Sequence, residues 1–300
     1  MLRLALFALA FAYSLVLPAW GGSIALVLSE RGGTYADFSG TLEEALVGSN
    51  WSVSTRLLAD TLPPLAGQAD VVVTVGGEAL RKALSRGDSP PIIATLLPRQ
   101  SYEKILSEFR KPGRITAIYL DQPAARQAAF LSHLLPGAKK MGMLFSVETR
   151  NVVGQYRLAF ANAGLSLDSE DADTEGALLP ALNGILGRTN VLVAIPDSTI
   201  YKRNNIKAIL ITAFRYQRPV IGYSPAFVNA GALAALHSTP AQIARQTADM
   251  IIAHGTSLPA PSGPTQFAIA INTNVAQSLG LNVPDEAALR RAMAGEREAK

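Results

Sequence analysis

Short apolar runs alternate with longer stretches of helical periodicity along most of this chain. Ile24–Ser29 reads as a strand, followed by a loop at Glu30–Tyr35 and a helix through Val47. Trp51–Leu57 alternates as a second strand, and Ala69–Val75 is so rich in β-branched residues that it predicts a strand covered on both faces. That strand breaks at Gly76-Gly77-Glu78 into a helix ending near Arg86-Gly87, and Pro91–Leu96 and Ile115–Tyr119 complete the series. The pattern then restarts. Lys140–Ser146 is a strand, Asn151–Ala163 a helix, Leu165–Ser169 a strand and Thr174–Gly187 a helix. Val191–Ile195 is a buried strand that stops at Pro196-Asp197-Ser198-Thr199, with a helix to about Tyr216 and a further strand at Pro219–Tyr223 ending in Ser224-Pro225.

Two consecutive series of this kind predict an α/β protein of two similar Rossmann-like lobes, each with a parallel sheet covered by helices. Helical spacing continues over Ala241–His254, and the Pro/Gly/Ser-rich Ser257–Pro264 reads as an extended connector. Phe267–Ile271 is a strand, Asn272 caps a short helix ending at Gly280, and the charged Glu286–Lys300 is expected to be a fraying helix.

The first residues differ from the rest. Arg3 precedes an almost unbroken apolar run, Leu4–Leu17, and Pro18-Ala19-Trp20-Gly21-Gly22 then supplies a break and small residues. This pattern predicts a cleaved signal peptide over residues 1–22, processed near Ala19 or Gly22, and hence a periplasmic protein. No later apolar run approaches the ~20 residues of a membrane span. The absence of cysteine excludes disulfides, thiolate catalysis, cysteine-ligated metals and a lipidated cysteine. The net charge of +4 falls to +3 without Arg3, and the basic residues are scattered, so no nucleic-acid partner is expected.

Several segments, in order, resemble a known bacterial family. They are Ala194-Ile195-Pro196-Asp197, Gly231-Ala232-Leu233-Ala234, Ile243-Ala244-Arg245-Gln246, Ile271-Asn272 and the closing Ala276–Pro284 (AQSLGLNVP). The chain resembles the TrpX-like ABC transporter substrate-binding proteins, which have the type I periplasmic-binding-protein fold, and the likeness runs over essentially the whole mature chain. The resemblance implies two lobes joined by three crossovers near Tyr119–Pro123, Leu236–Pro240 and Ala260–Gln266, closing on a ligand between them. Lobe one would hold residues 23–119 plus 240–260, and lobe two 120–239 plus 261–300. This sequence departs from many relatives at His237–Gln242 and in having Asp197-Ser198 where Asp-Asn is common. Both places lie near the cleft or hinge, so the ligand of any relative is not carried over.

In parallel sheets, strand C-termini and the helix N-termini that follow them face a ligand. This rule selects Ser29, Gly76, Gly77, Glu78 and Thr95 in the first series. In the second it selects Ser146, Asp197, Ser198, Thr199, Tyr223 and Ser224. Gly76-Gly77 suits either close backbone approach to an anionic group or a plain tight turn. Asp197 suits either a ligand ammonium or the N-cap of the Thr199–Tyr216 helix. Tyr119 and Tyr223 are candidates to stack on a ligand or to fill a lobe core, and Tyr35 is a candidate to close over the mouth. His133, His237 and His254 lack metal-ligand spacing, and no nucleophile elbow, P-loop or HExxH motif is present. The expectation is a monomeric, cofactor-free, non-enzymatic protein binding a small polar or amphipathic molecule, an amino acid among the candidates. Its partner would be the membrane permease of an ABC importer or, alternatively, a membrane sensor.

Overall fold

The computed structural model describes residues 21–58, 67–87 and 89–298. The proposed export signal falls on residues outside this set, apart from Gly21 and Gly22, and β1 already begins at Gly22. The first sheet contains β1 (Gly22–Leu28), β2 (Trp51–Leu57), β3 (Val71–Val75), β4 (Ile92–Thr95) and β5 (Ile115–Ile118). Their order is β2-β1-β3-β4-β5, every pair parallel. β3 sits at the centre with all five residues buried, which is why its sequence shows no alternation. Helices α1 (Gly33–Ala45), α2 (Gly77–Leu84) and α3 (Arg99–Ser107) follow β1, β3 and β4.

The second sheet repeats the plan. After α4 (Ala124–Leu134) come β6 (Lys140–Phe145), α5 (Arg150–Asn162), β7 (Ser166–Asp171), α6 (Glu175–Arg188), β8 (Val191–Val193), α7 (Arg203–Arg215), β9 (Val220–Gly222), α8 (Pro225–Asn229) and β10 (Ala234–His237). The order β7-β6-β8-β9-β10 matches that of the first sheet. One strand breaks the expected all-parallel pattern. β11 (Ala268–Ile271) runs antiparallel on β10, because the helix between them packs on the first lobe and the chain returns along the Pro-rich connector instead of crossing over the second sheet.

Helix α9 (Pro240–His254) starts at a capping box formed by Thr239 and Gln242. It leaves the second sheet and buries Ile243, Ala244, Ala248 and Ile251 against Phe38 and Leu42 of α1, in the core of the first lobe. Burying side chains of this size contributes about 1.5–3 kcal/mol each. The last helices, α10 (Thr273–Ser278) and α11 (Glu286–Glu298), belong to the second lobe. Leu289 and Met293, one helical turn apart, are 1% and 5% exposed and join the core built on α4 and α5.

The three crossings are tied together. Gln122 donates from Nε2 to Ser238 Oγ (2.8 Å), and Ser238 Oγ donates to the Gln266 carbonyl (2.7 Å). Arg126 donates to Gln122 Oε1 (2.8 Å) and to the carbonyl of Pro264 (2.8 Å). Tyr119 N–H donates to the Ser262 carbonyl (2.9 Å), and Ser262 N–H to that of Ala117 (3.0 Å).

At the end of β9, a Cβ on Gly222 would lie 2.8 Å from Phe227 Cβ and 2.9 Å from its Cγ. Gly222→Ala is therefore expected to displace α8 and lower stability by about 1–3 kcal/mol. Urea unfolding should show a lower midpoint at unchanged slope.

Candidate functional site

The loops after β6 and β8, neighbours in the second sheet, are joined by two carboxylates. Asp197 is 3% exposed. Its Oδ2 accepts from Ser146 Oγ (2.8 Å), Ser146 N–H (3.2 Å) and Thr149 Oγ1 (2.7 Å). Its Oδ1 accepts from the N–H groups of Thr199 and Ile200, both at 3.0 Å. Five donors leave it no room for a ligand ammonium, so Asp197 holds the site together from behind. Nor is it the N-cap of a helix starting at Thr199: it closes a turn, and α7 begins later, at Arg203. Glu148 makes the second link, accepting from Ser198 N–H (2.9 Å) and Ser198 Oγ (2.7 Å).

In the first lobe Gly76 has φ +90°, and a Cβ there would lie 2.8 Å from Ser29 Oγ and 3.2 Å from Tyr35 Oη. The glycine lets both side chains pack over the start of α2. Ser29 Oγ donates to the Val75 carbonyl (2.9 Å) and accepts from Ala79 N–H (3.0 Å), so a side chain already serves this helix start. Glu78 turns to the surface and pairs with Arg81 at 2.6 Å. Thr95 is wholly buried, donating to the Thr74 carbonyl at 2.9 Å.

Between the lobes lie two cavities with different linings. The more apolar one, about 330 Å³, is bounded by Thr34, Tyr35, Leu96 and Leu120 on one side and by Tyr223, Ser224, Pro225 and His237 on the other. Tyr223 packs with Tyr201 and Phe227, ring centroids 6.0 and 5.3 Å away, so its ring both supports and lines this wall. Ser224 caps α8 through Phe227 N–H (3.3 Å). Leu96 has φ +52°, a conformation costly for a non-glycine residue and typical of ligand-contacting segments. His237 Nδ1 is buried without a hydrogen-bond partner, and burial holds the imidazole pKa below its ordinary value.

The second cavity, about 240 Å³, is polar and lies against the hinge. Its walls include Arg99, Gln100 and Glu103 of α3, Tyr119 and Asp121 of the first crossing, and Asn151, Gln155 and Tyr156 of α5. Arg99 pairs with Glu103 at 2.7 Å, and its N–H donates to Asp121 Oδ2 at 2.7 Å. Burial pushes the Asp121 carboxyl up to about 6. Tyr119 meets Tyr102 edge-on at 5.6 Å. Near the mouth the lobes touch directly: the Gln100 amide donates to the Pro196 carbonyl, and Lys104 Nζ lies 3.4 Å from Glu148 Oε1. Gln100, Glu103 and Glu148 also line a third hollow that holds Ser198.

The residues selected from the sequence thus separate into two groups. Tyr35, Tyr119, Tyr223 and Ser224 stand on walls of the two cavities, and Ser198 on the hollow at the mouth. Ser29, Gly76, Gly77, Glu78, Thr95, Ser146, Asp197 and Thr199 are on none of these walls. Most of them position the loops instead. Sequence reasoning passed over Leu96, Arg99, Asp121, Asn151, Gln155, Tyr156 and His237. An isolated acid between an apolar strand and a proline was the one available signal, at Asp121. Among the described residues no group of three or more His, Asp or Glu side chains is placed to hold a metal ion.

Because Asp197 ties two loops from inside, Asp197→Ala is expected to leave Ser146 and Thr149 with buried, unmatched hydroxyls. Loss of about 3 kcal/mol should follow. Thermal and urea denaturation of the ligand-free protein measure it.

The sequence model of the ABC transporter substrate binding protein family matches residues 49–294. Comparison with curated protein sequences gives no match. Among solved structures, a conserved domain protein from Vibrio cholerae is 21% identical, with a TM-score of 0.58 over 91% of this chain and 98% of its own. An ABC domain from Streptococcus pneumonia in complex with L-Trp is 17% identical, with a TM-score of 0.59 over 90% of this chain and 98% of its own. A ligand-free, open substrate-binding protein with adhesive properties from Clostridium difficile is 16% identical, with a TM-score of 0.66 over 88% and 96%. These likenesses show the fold, two Rossmann-like lobes of the type I periplasmic binding proteins. With two lobes, two interlobe cavities and a family match over most of its length, the chain belongs to the ABC transporter substrate-binding protein family.

Proposed function

We propose that this protein captures a small polar or amphipathic solute between its lobes on the outer side of the cytoplasmic membrane. It then delivers that solute, as a monomer, to the permease of an ABC importer. The rigid bodies are residues 23–119 with 240–260 and residues 120–239 with 261–300, rotating about the three crossings. The observation that carries this reading is the pair of cavities walled by both lobes at once, since a ligand there gains its full set of contacts only when the lobes close. An amino acid is favoured as the ligand class. The pneumococcal protein of the same fold was solved with L-Trp, and the more apolar cavity offers the rings of Tyr35 and Tyr223 with a few polar groups beside them. No helix among the described residues is long and apolar enough to cross a membrane.

Capture is tested by thermal shift against amino acids, nucleosides, sugars and small acids. One chemical class should raise the melting temperature in proportion to its concentration over Kd, and no shift with any class would remove the reading. With the ligand identified, Tyr35→Ala is expected to weaken binding about tenfold or more by calorimetry, with little change in ligand-free stability. The contacts at the mouth should favour the closed arrangement modestly. Gln100→Ala with Glu148→Ala is expected to weaken binding about fivefold and to enlarge the ligand-free particle in small-angle scattering.

A further inference from the structure

The polar cavity contains three carboxylates whose charges are balanced in different ways. Glu103 is neutralised by Arg99 at 2.7 Å. Glu148 holds Ser198 and faces Lys104 at 3.4 Å. Asp121 has only backbone donors, the N–H of Arg99 at 2.7 Å and its own, while the guanidinium of Arg99 is turned to Glu103 and acts on it only through its charge. The same cavity is lined by Tyr156, a residue only 7% exposed whose hydroxyl makes no hydrogen bond among the described residues. Asp121 is near enough for its charge to act on that hydroxyl. A carboxylate whose neighbouring cation is paired to another acid and a phenol without a hydrogen-bond partner thus line one small cavity. The chemistry that satisfies both is a positively charged donor group, and an anionic group there would add repulsion.

We propose that the polar cavity holds the positively charged group of the captured solute against Asp121 and Tyr156, and that protonation of Asp121 releases it. The inference rests on solute capture as the protein's function and names the charge and the control of that site. A cavity of 240 Å³ is below the ~300–1,000 Å³ of pockets that enclose a whole ligand. It therefore receives one end of the solute, the remainder extending toward the apolar cavity, whose wall residue Leu120 adjoins Asp121.

The groups facing Asp121 are Arg99 and Glu103 from α3, Tyr119 from the end of β5 and Tyr156 from α5. Burial outweighs the favourable Arg99 contacts, so in the ligand-free protein the neutral acid is preferred until pH rises through about 6. The sign follows from this raised value. The ionised side chain costs stability in full above pH 6, and the cost is relieved progressively as pH falls from there toward the ordinary carboxylate value of 3.8. A bound cation reverses the preference, so binding and protonation oppose one another.

The test uses the full chain with putrescine, L-arginine, L-leucine and L-tyrosine as ammonium-bearing probes, and D-ribose and succinate as neutral and anionic ones. Titration calorimetry from pH 5 to 8 is expected to show an ammonium-bearing probe whose affinity falls about tenfold per pH unit below 6. Asp121→Asn should weaken that probe at least tenfold at pH 7.5 and flatten the pH profile. Without ligand, the same variant should melt higher than the parent at pH 7.5, by a smaller margin at pH 5 and little differently below the ordinary carboxylate value, a readout independent of binding. Tyr156→Phe, which leaves the core contacts of the ring in place, should weaken binding severalfold and keep the pH profile. Binding of ribose or succinate alone would overturn the assignment and leave solute capture standing. So would an Asp121→Asn variant that binds an ammonium probe like the parent at every pH. Binding by none of the probes removes the assignment, and the wider thermal-shift panel then decides whether solute capture falls with it.

Discussion

The molecule depends on one short chain of hydrogen bonds, Gln122 to Ser238 to Gln266. It joins a side chain or carbonyl from each of the three segments that pass between the lobes. Gln122 is 5% exposed and Ser238 8%, so separating these groups would leave buried polar atoms unmatched. The crossings must therefore move as one bundle. Displacement of one lobe against the other is restricted to rotation about that bundle, and both cavities lie alongside it. A hinge of this kind fixes where the walls meet without fixing how far apart they stand.

Asp121 and Asp197 show how the same side chain takes opposite parts. Asp197 sits among five donors at a place where two adjacent strands of the second sheet end, and its charge is spent on keeping the loops in register. Asp121 sits where the first crossing leaves β5, with only backbone donors and a cavity in front of it. Burial raises the energy of the charged form of Asp121 by more than its backbone donors and Arg99 offset. The arrangement at Asp121 is reactive toward a ligand and that at Asp197 is structural.

Strands were legible in the sequence because parallel sheets demand continuous apolar runs, and Ala69–Val75 and Val191–Ile195 supply them without ambiguity. The repeat of the architecture followed from the alternation alone. Helices α3 and α4 were not legible. Arg99-Gln100-Ser101 opens α3 with polar residues and no side-chain cap, and the Ala-rich start of α4 after Pro123 carries little periodicity. The polar cavity is built largely from α3, α5 and the first crossing, so it was hidden with them. The rule that strand ends face the ligand located the correct edge but selected too close to the strands. At that edge short side chains such as Ser29, Thr95 and Ser146 are consumed by the backbone of neighbouring turns. Residues one turn farther out, or on the crossings, reach the open space.

Helix α9 belongs to the core of the first lobe but is encoded after ten of the eleven strands. As the chain emerges from the ribosome, Phe38 and Leu42 can share a core with the strands of the first sheet, but that core stays incomplete until Ile243, Ala244 and Ile251 arrive. The second lobe likewise lacks its edge strand β11 and the anchoring Leu289 and Met293 until near the end. Neither half completes its core before the other is almost fully synthesised, so the two must mature together instead of in vectorial order. The threefold crossing therefore also keeps both cores of the growing chain unfinished until late in synthesis.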